Sequence, residues 1–141
     1  AWHWQTLWQS ALWPQFDDMK RALVRINDEE ARRAARDAFP LLDFSGSYGK
    51  ALEPVSTNAA QAMQWFWEPV HFKPALGDQL IAQIMDDGGA PAAPNAFAMT
   101  GTPLTSSNLD AHLERLQALQ QAYAVANPEV ADRIRQFAGT P

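Results

Sequence analysis

One short apolar run, Phe39-Pro40-Leu41-Leu42-Asp43-Phe44, stands among segments patterned as helices, and it limits the possible folds more than any other feature. It reads as a buried strand with Pro40 near its start, running into the loop-like Ser45-Gly46-Ser47-Tyr48-Gly49. A lone strand leaves its backbone N–H and C=O groups without partners. Its neighbours must therefore be other strands of this chain, another subunit, or a preceding half of the same domain.

Helical periodicity dominates the remainder. Trp4, Leu7, Trp8, Ala11 and Leu12 recur at helical spacing, and Pro14 opens a second helix whose apolar stripe is Phe16, Met19, Leu23 and Ile26. That helix continues, or restarts at Asn27 or Asp28, through a polar run to Asp37. Residues 45–64 read as loop, with one helical turn at Asn58 to Met63. Pro74 opens a helix with Leu76, Leu80, Ile81, Ile84 and Met85 on its buried face, ended by Gly88-Gly89. Gly88 to Pro103 is an irregular connection. Ser107 or Asn108 caps a long helix striped by Leu109, Leu113, Leu116 and Tyr123. Pro128 ends it, and a last helix carries Val130, Ile134 and Phe137. The chain reads as one domain over 1–141: helices to residue 38, a strand at 39–44, a histidine-bearing block and helix over 65–87, and a helical tail over 104–138. With 141 residues and a first segment that opens inside an aromatic-rich helix, the domain is expected to be incomplete.

Hydrophobic residues make up 47% of the chain and charged residues 19%, enough apolar content to fold. The net charge of −5 argues against a nucleic-acid partner, which needs a basic face. Arg32, Arg33 and Arg36 follow Asp28, Glu29 and Glu30 at helical spacing and read as self-paired. Cysteine is absent, which removes disulfides and thiolate chemistry. No apolar run approaches the roughly 20 residues of a membrane span.

The stretch Trp65-Phe66-Trp67-Glu68-Pro69-Val70-His71-Phe72-Lys73-Pro74 carries the clearest chemistry. Glu68 precedes His71 by three residues, close enough to bind one ring nitrogen and leave the other free to take a proton from a hydroxyl. Flanking aromatics are placed to keep water from the pair. The bland alternative is a surface histidine beside a glutamate. Lys73 and Asp78 read as support for the helix start. A serine nucleophile is not evident. Ser45 follows the strand end, where functional loops gather, but the Gly-x-Ser-x-Gly spacing of a nucleophile elbow is missing, and Ser106 and Ser107 read as caps. His3, His71 and His112 are too scattered for a metal site, and no cofactor is expected. His112 reads as packing beside its leucine stripe. Asp17-Asp18 and Asp86-Asp87 read as solvated helix-end charges. The tryptophans Trp2, Trp4, Trp8 and Trp13 line a carbohydrate or acyl-chain site, or else form core or interface.

Two blocks carry a family resemblance. Leu41-Leu42-Asp43-Phe44-Ser45-Gly46 and Trp65 through Asp78 resemble the C-terminal half of bacterial SGNH (GDSL-like) hydrolases. In one branch of that family a strand reading Leu-Trp-Asp-Phe-Ser-Gly is followed by Trp-Tyr-Trp-Asp/Glu-x-x-His and a helix. Leu12-Trp13-Pro14-Gln15-Phe16 and Leu104 through Leu116 are similar to the flanking helices, so the likeness spans about residues 1–125. It implies an α/β chain: the C-terminal part of a three-layer α/β/α domain with a parallel sheet, predominantly helical here with one or two strands. It implies a serine-type esterase or O-acyltransferase acting on an acyl ester or acetylated glycan, extracytoplasmic or membrane-associated in bacteria. His71 would be the base and Glu68, a glutamate where the family has aspartate, its orienting carboxylate. The family's roles carry over to these two residues only; Trp65, Trp67 and Ser45 are expected as substrate contacts from their places beside the dyad and after the strand. The family's nucleophile and oxyanion blocks lie upstream and have no counterpart here. The expected partner is the chain's own N-terminal half, or a second copy in a homo-oligomer. A non-enzymatic helical interaction module using the Trp2–Trp13 face is the alternative.

Overall fold

Proline sets where three of the helices begin, because its fixed φ suits a first turn and its missing N–H is not needed there. Pro14 is the second residue of α2 (Trp13–Arg33), and Pro74 and Pro128 open α3 (Pro74–Met85) and α5 (Pro128–Ala138). With α1 (Trp2–Gln9) and α4 (Leu109–Ala126), these are the five α-helices among the described residues of this computed structural model: 2–10, 12–47, 49–56, 58, 61–85 and 101–138. α2 runs unbroken past Asn27 and stops earlier than its polar tail suggests. Ala35 takes a left-handed φ of 48°, and Ala35 and Arg36 donate back to the carbonyls of Arg32 and Ala31. This is a Schellman stop with alanine in the place usually taken by glycine.

The expected strand is real but short, and its partner lies within the chain. β1 (Leu42–Asp43) pairs antiparallel with β2 (Thr102–Pro103), Leu42 opposite Pro103 and Asp43 opposite Thr102. Leu104 N extends the pairing to the Leu41 carbonyl at 2.8 Å. A two-stranded antiparallel ribbon thus stands where a parallel sheet was expected. Phe39 and Pro40 are exposed and outside the strand. The Asn27 side chain holds Phe39 instead, donating to its carbonyl at 2.7 Å and accepting its N–H at 3.1 Å. Gly101 lets the ribbon close against Phe44, the residue after β1: a Cβ at Gly101 would lie 2.7 Å from the Phe44 ring.

The helical turn in the loop after β1 falls at Gly49–Leu52, a 3-10 turn, whereas the described residues of 58–63 are not helical. Asn108 stands at the start of α4 without capping it. Its side chain turns back, donating to the Pro103 carbonyl and accepting from Thr105 N. Asp86-Asp87 and the expected Gly88-Gly89 stop lie outside the described residues.

α1 packs on α5, α4 and α2. Gln5, fully buried on α1, donates to both the backbone and side-chain oxygens of Gln120 on α4 at 2.8 Å, and Ser47 donates to the same side-chain oxygen. Among the described residues, buried apolar side chains form two clusters. Val24, Leu109 and Leu113 join Leu41 and Leu104. Ala51 and Leu76 join Trp4, Phe44, Trp65, Phe66 and Leu80.

The buried faces of α2 and α3 differ from the expected stripes. α2 buries Trp13, Asp17, Lys20, Val24 and Ala31, while Met19, Leu23 and Ile26 face solvent. α3 buries Leu76 and half-buries Leu80, as expected, but leaves Ile81, Ile84 and Met85 exposed. On α5, Ile134 is buried and Phe137 is not. Among the described residues no helix is long and apolar enough to cross a membrane.

Leu116, with no exposed surface, and Leu23, on the open stripe, should therefore respond differently to truncation. In urea unfolding, Leu116→Ala is expected to cost about 2–5 kcal/mol and Leu23→Ala no more than about 0.5 kcal/mol. Ala35→Gly, which relieves the left-handed strain, is expected to stabilise by roughly 1 kcal/mol.

Candidate functional site

The block around His71 folds as a small hairpin. Phe66 and Phe72 form an antiparallel bridge, Trp67 N donates to the His71 carbonyl at 2.9 Å, and Lys73 N to the Trp65 carbonyl at 2.8 Å. Glu68 closes the tip by accepting the backbone N–H groups of Val70 at 2.9 Å and His71 at 3.0 Å. The same carboxylate contacts His71 Nδ1. These bonds, that of Val70 N–H first and then the His71 ring, hold the Glu68 carboxyl below its ordinary range, so it is an anion that fixes the ring. With Nδ1 so engaged, Nε2 is the nitrogen left for other chemistry. From below, the Glu53 carboxylate accepts the N–H groups of Gln64, Trp65 and Phe66, which anchors the first arm of the hairpin.

The pair expected from spacing is thus formed, but the aromatic shield is not. His71 is 79% exposed, and Trp67 and Phe72 beside it are exposed too. Trp65 and Trp67 do not make a joint stacking surface: Trp65 packs into the Leu76 cluster with Lys50 over its face at 4.1 Å, and Lys73 lies 4.9 Å from the Trp67 ring centre.

The third expected contact residue, Ser45, belongs to a second cluster that spacing did not reveal. Asp43 Oδ2 lies 2.6 Å from Lys20 Nζ and 2.8 Å from His112 Nε2, and Asp43 Oδ1 accepts Ser45 N at 2.8 Å. Lys20 also donates to Ser45 Oγ at 2.6 Å. Arg115 donates to His112 Nδ1 at 3.1 Å and to the Thr102 hydroxyl at 3.0 Å. Because Nδ1 accepts, Nε2 carries the ring proton and donates to Asp43. Lys20, Asp43, Ser45 and His112 are all buried. Burial pushes the Asp43 carboxyl up, but Lys20 and the Ser45 hydrogen bonds outweigh it and leave the group below its ordinary range. Lys20 Nζ donates to Ser45 Oγ and faces Asp43 Oδ2, so it is not placed to take the Ser45 proton. His112, read as packing from the sequence, is the polar bridge from α4 to β1. The available signal was Asp43 itself, since a carboxylate inside an apolar strand needs a buried cation or donors.

Between the two clusters lies a cavity of about 370 Å³. Trp4, Phe16, Phe44, Val70 and Leu76 line it, and Asp43, Ser45 and Glu53 reach its wall. His3 is also on this wall, where burial chiefly lowers its pKa and favours neutral imidazole. Among the described residues no group of three or more His, Asp or Glu side chains is placed to hold a metal ion. The chain matches no protein-family profile, no curated protein and no solved structure.

Because the folded-state pKa of Asp43 is depressed, its contribution is complete above the unfolded carboxylate value near 4 and is lost as pH falls below it. The wild-type chain should lose stability steeply over that window in acid titrations monitored by circular dichroism. The double variant Lys20→Met/Asp43→Asn should lose less of its own stability there. Asp43→Asn alone, which strands a buried ammonium, is expected to cost about 3–5 kcal/mol at neutral pH.

Proposed function

We propose that this chain is the C-terminal portion of a serine-type acyl-ester hydrolase or O-acyltransferase, with His71 as general base and Glu68 as its orienting carboxylate. The observation that carries the reading is the Glu68–His71 contact on a bonded hairpin, with Nδ1 engaged and Nε2 open. The resemblance of the Leu41–Gly46 and Trp65–Asp78 blocks to SGNH hydrolases supplies the reaction class. In that reaction Nε2 takes the hydroxyl proton of an incoming serine as its Oγ bonds to the ester carbonyl carbon. The carbonyl electron pair moves to oxygen, then returns to expel the alcohol, which leaves with the proton from His71. Water or an acceptor hydroxyl takes the acyl group in the second half-reaction.

On this reading the nucleophile and oxyanion donors come from an N-terminal half, and the whole is a three-layer α/β/α domain. Support comes from the apolar faces left open on α2 and α3, which such a half would cover. The interaction-module alternative has less support. Trp13 is buried and Trp2 and Trp4 line the cavity, so the tryptophan face is largely committed internally.

The test is hydrolysis of p-nitrophenyl acetate by the chain alone and by the chain extended with the coding sequence upstream of it. The extended protein is expected to be active, and His71→Ala to lower its rate by about 10²–10⁴-fold, the usual worth of a general base. An extended protein whose rate is indifferent to His71 would sink the assignment.

A further inference from the structure

The cavity behind the hairpin falls within the range of roughly 300–1,000 Å³ typical of small-molecule sites. Its walls are drawn from across the chain: Trp4 on α1, Phe16 on α2, Phe44 after β1, Val70 at the hairpin tip, and Leu76 and Leu80 on α3. The carboxylates and hydroxyl that reach it are already engaged. Asp43 is taken by Lys20 and His112, the Ser45 hydroxyl by Lys20, and Glu53 by three backbone N–H groups. Among the described residues such a wall offers a ligand no free ammonium or guanidinium and no unpaired acid, and burial favours the neutral form of the His3 imidazole on it, so what it chiefly rewards is apolar surface.

We propose that this cavity binds the hydrocarbon chain of an acyl or alkyl ligand. At roughly 30 Å³ per water-sized group it holds about a dozen methylene units, a chain of medium length. Pro69 and Val70, the residues between Glu68 and His71, form part of its lining, so a seated chain reaches the hairpin tip that carries the dyad. Identifying that chain as the acyl group of the ester rests on the function proposed above; the binding itself does not.

The test is displacement of N-phenyl-1-naphthylamine, a neutral apolar fluorophore, from the 141-residue chain by primary alcohols from hexanol to dodecanol. Affinity is expected to tighten about fourfold per added methylene and to level off near the length that fills the cavity. Val70→Trp at the mouth and Ala51→Leu in the wall should each weaken the binding of decanol at least tenfold, with helical circular dichroism retained. Val70 is exposed, so its variant tests the site even where the Ala51 variant fails to fold. His71→Ala should leave alcohol binding unchanged. Equal affinity for all chain lengths, or an unaltered affinity in folded Val70→Trp, overturns the proposal. So does a dimer in sedimentation that Val70→Trp dissolves while alcohols fail to bind, since a second copy then fills the cavity. Alcohol binding that persists while ester hydrolysis by the extended protein ignores His71 supports the cavity and removes the catalytic reading alone.

Discussion

The Asp43 carboxylate is the interaction on which the structure turns. It sits on a two-residue strand, buried, and receives Lys20 from α2, His112 from α4 and the N–H of Ser45 from the adjoining loop. Arg115 carries the connection from His112 to Thr102 on β2. A ribbon this short cannot hold its place by backbone bonds alone. The charged cluster does so, tying β1 to the two longest helices. Burial of the ions is costly unless every lone pair and proton is met, and here the carboxylate has a partner on each oxygen.

That cluster also explains why α2 turns a mixed face inward, with two charged residues beside its apolar ones. Lys20 and Asp17 share a face with Trp13 and Val24, and pairing them with Asp43 and with Gln117 at 3.0 Å turns that face to the interior. Met19, Leu23 and Ile26 are then left outside. A periodicity argument assigns the most apolar stripe to the core, so it predicts the neighbouring face. Helix starts were legible because proline acts locally. The existence of a strand at Leu42–Asp43 was legible from the apolar run. Its partner was not: Thr102–Pro103 carries no alternation and includes a proline, and only a sheet edge tolerates that residue.

The candidate site was legible in the same uneven way. The Glu68–His71 contact arises from a three-residue separation in a turn, a local property. Its exposure does not, because it depends on which surfaces the rest of the chain covers. Ser45 was expected at a substrate and lies in the charged cluster and the cavity wall. The roles of Lys20, Glu53 and His112 are set by partners 23, 11 to 13 and 69 residues away, separations at which a single sequence carries no periodic signal.

Among the described residues the chain holds two carboxylate–histidine pairs, and their surroundings assign them different work. His112 is closed on both ring nitrogens, Nε2 by Asp43 and Nδ1 by Arg115, and it is buried. A base needs a free lone pair where a substrate proton can reach it, so this pair can only hold the fold together. His71 has one nitrogen engaged by Glu68, and its ring stands in solvent on a hairpin fixed by Glu53 below and Glu68 at the tip. An imidazole in that state is positioned without being occupied. What it lacks is exclusion of water, which a catalytic pair gains when another surface closes over it. The exposed apolar faces of α2 and α3 are the matching feature elsewhere on the chain. On the proposed reading, one N-terminal half would cover those faces and bring a hydroxyl to His71, so that folding and catalysis would be completed by the same contact.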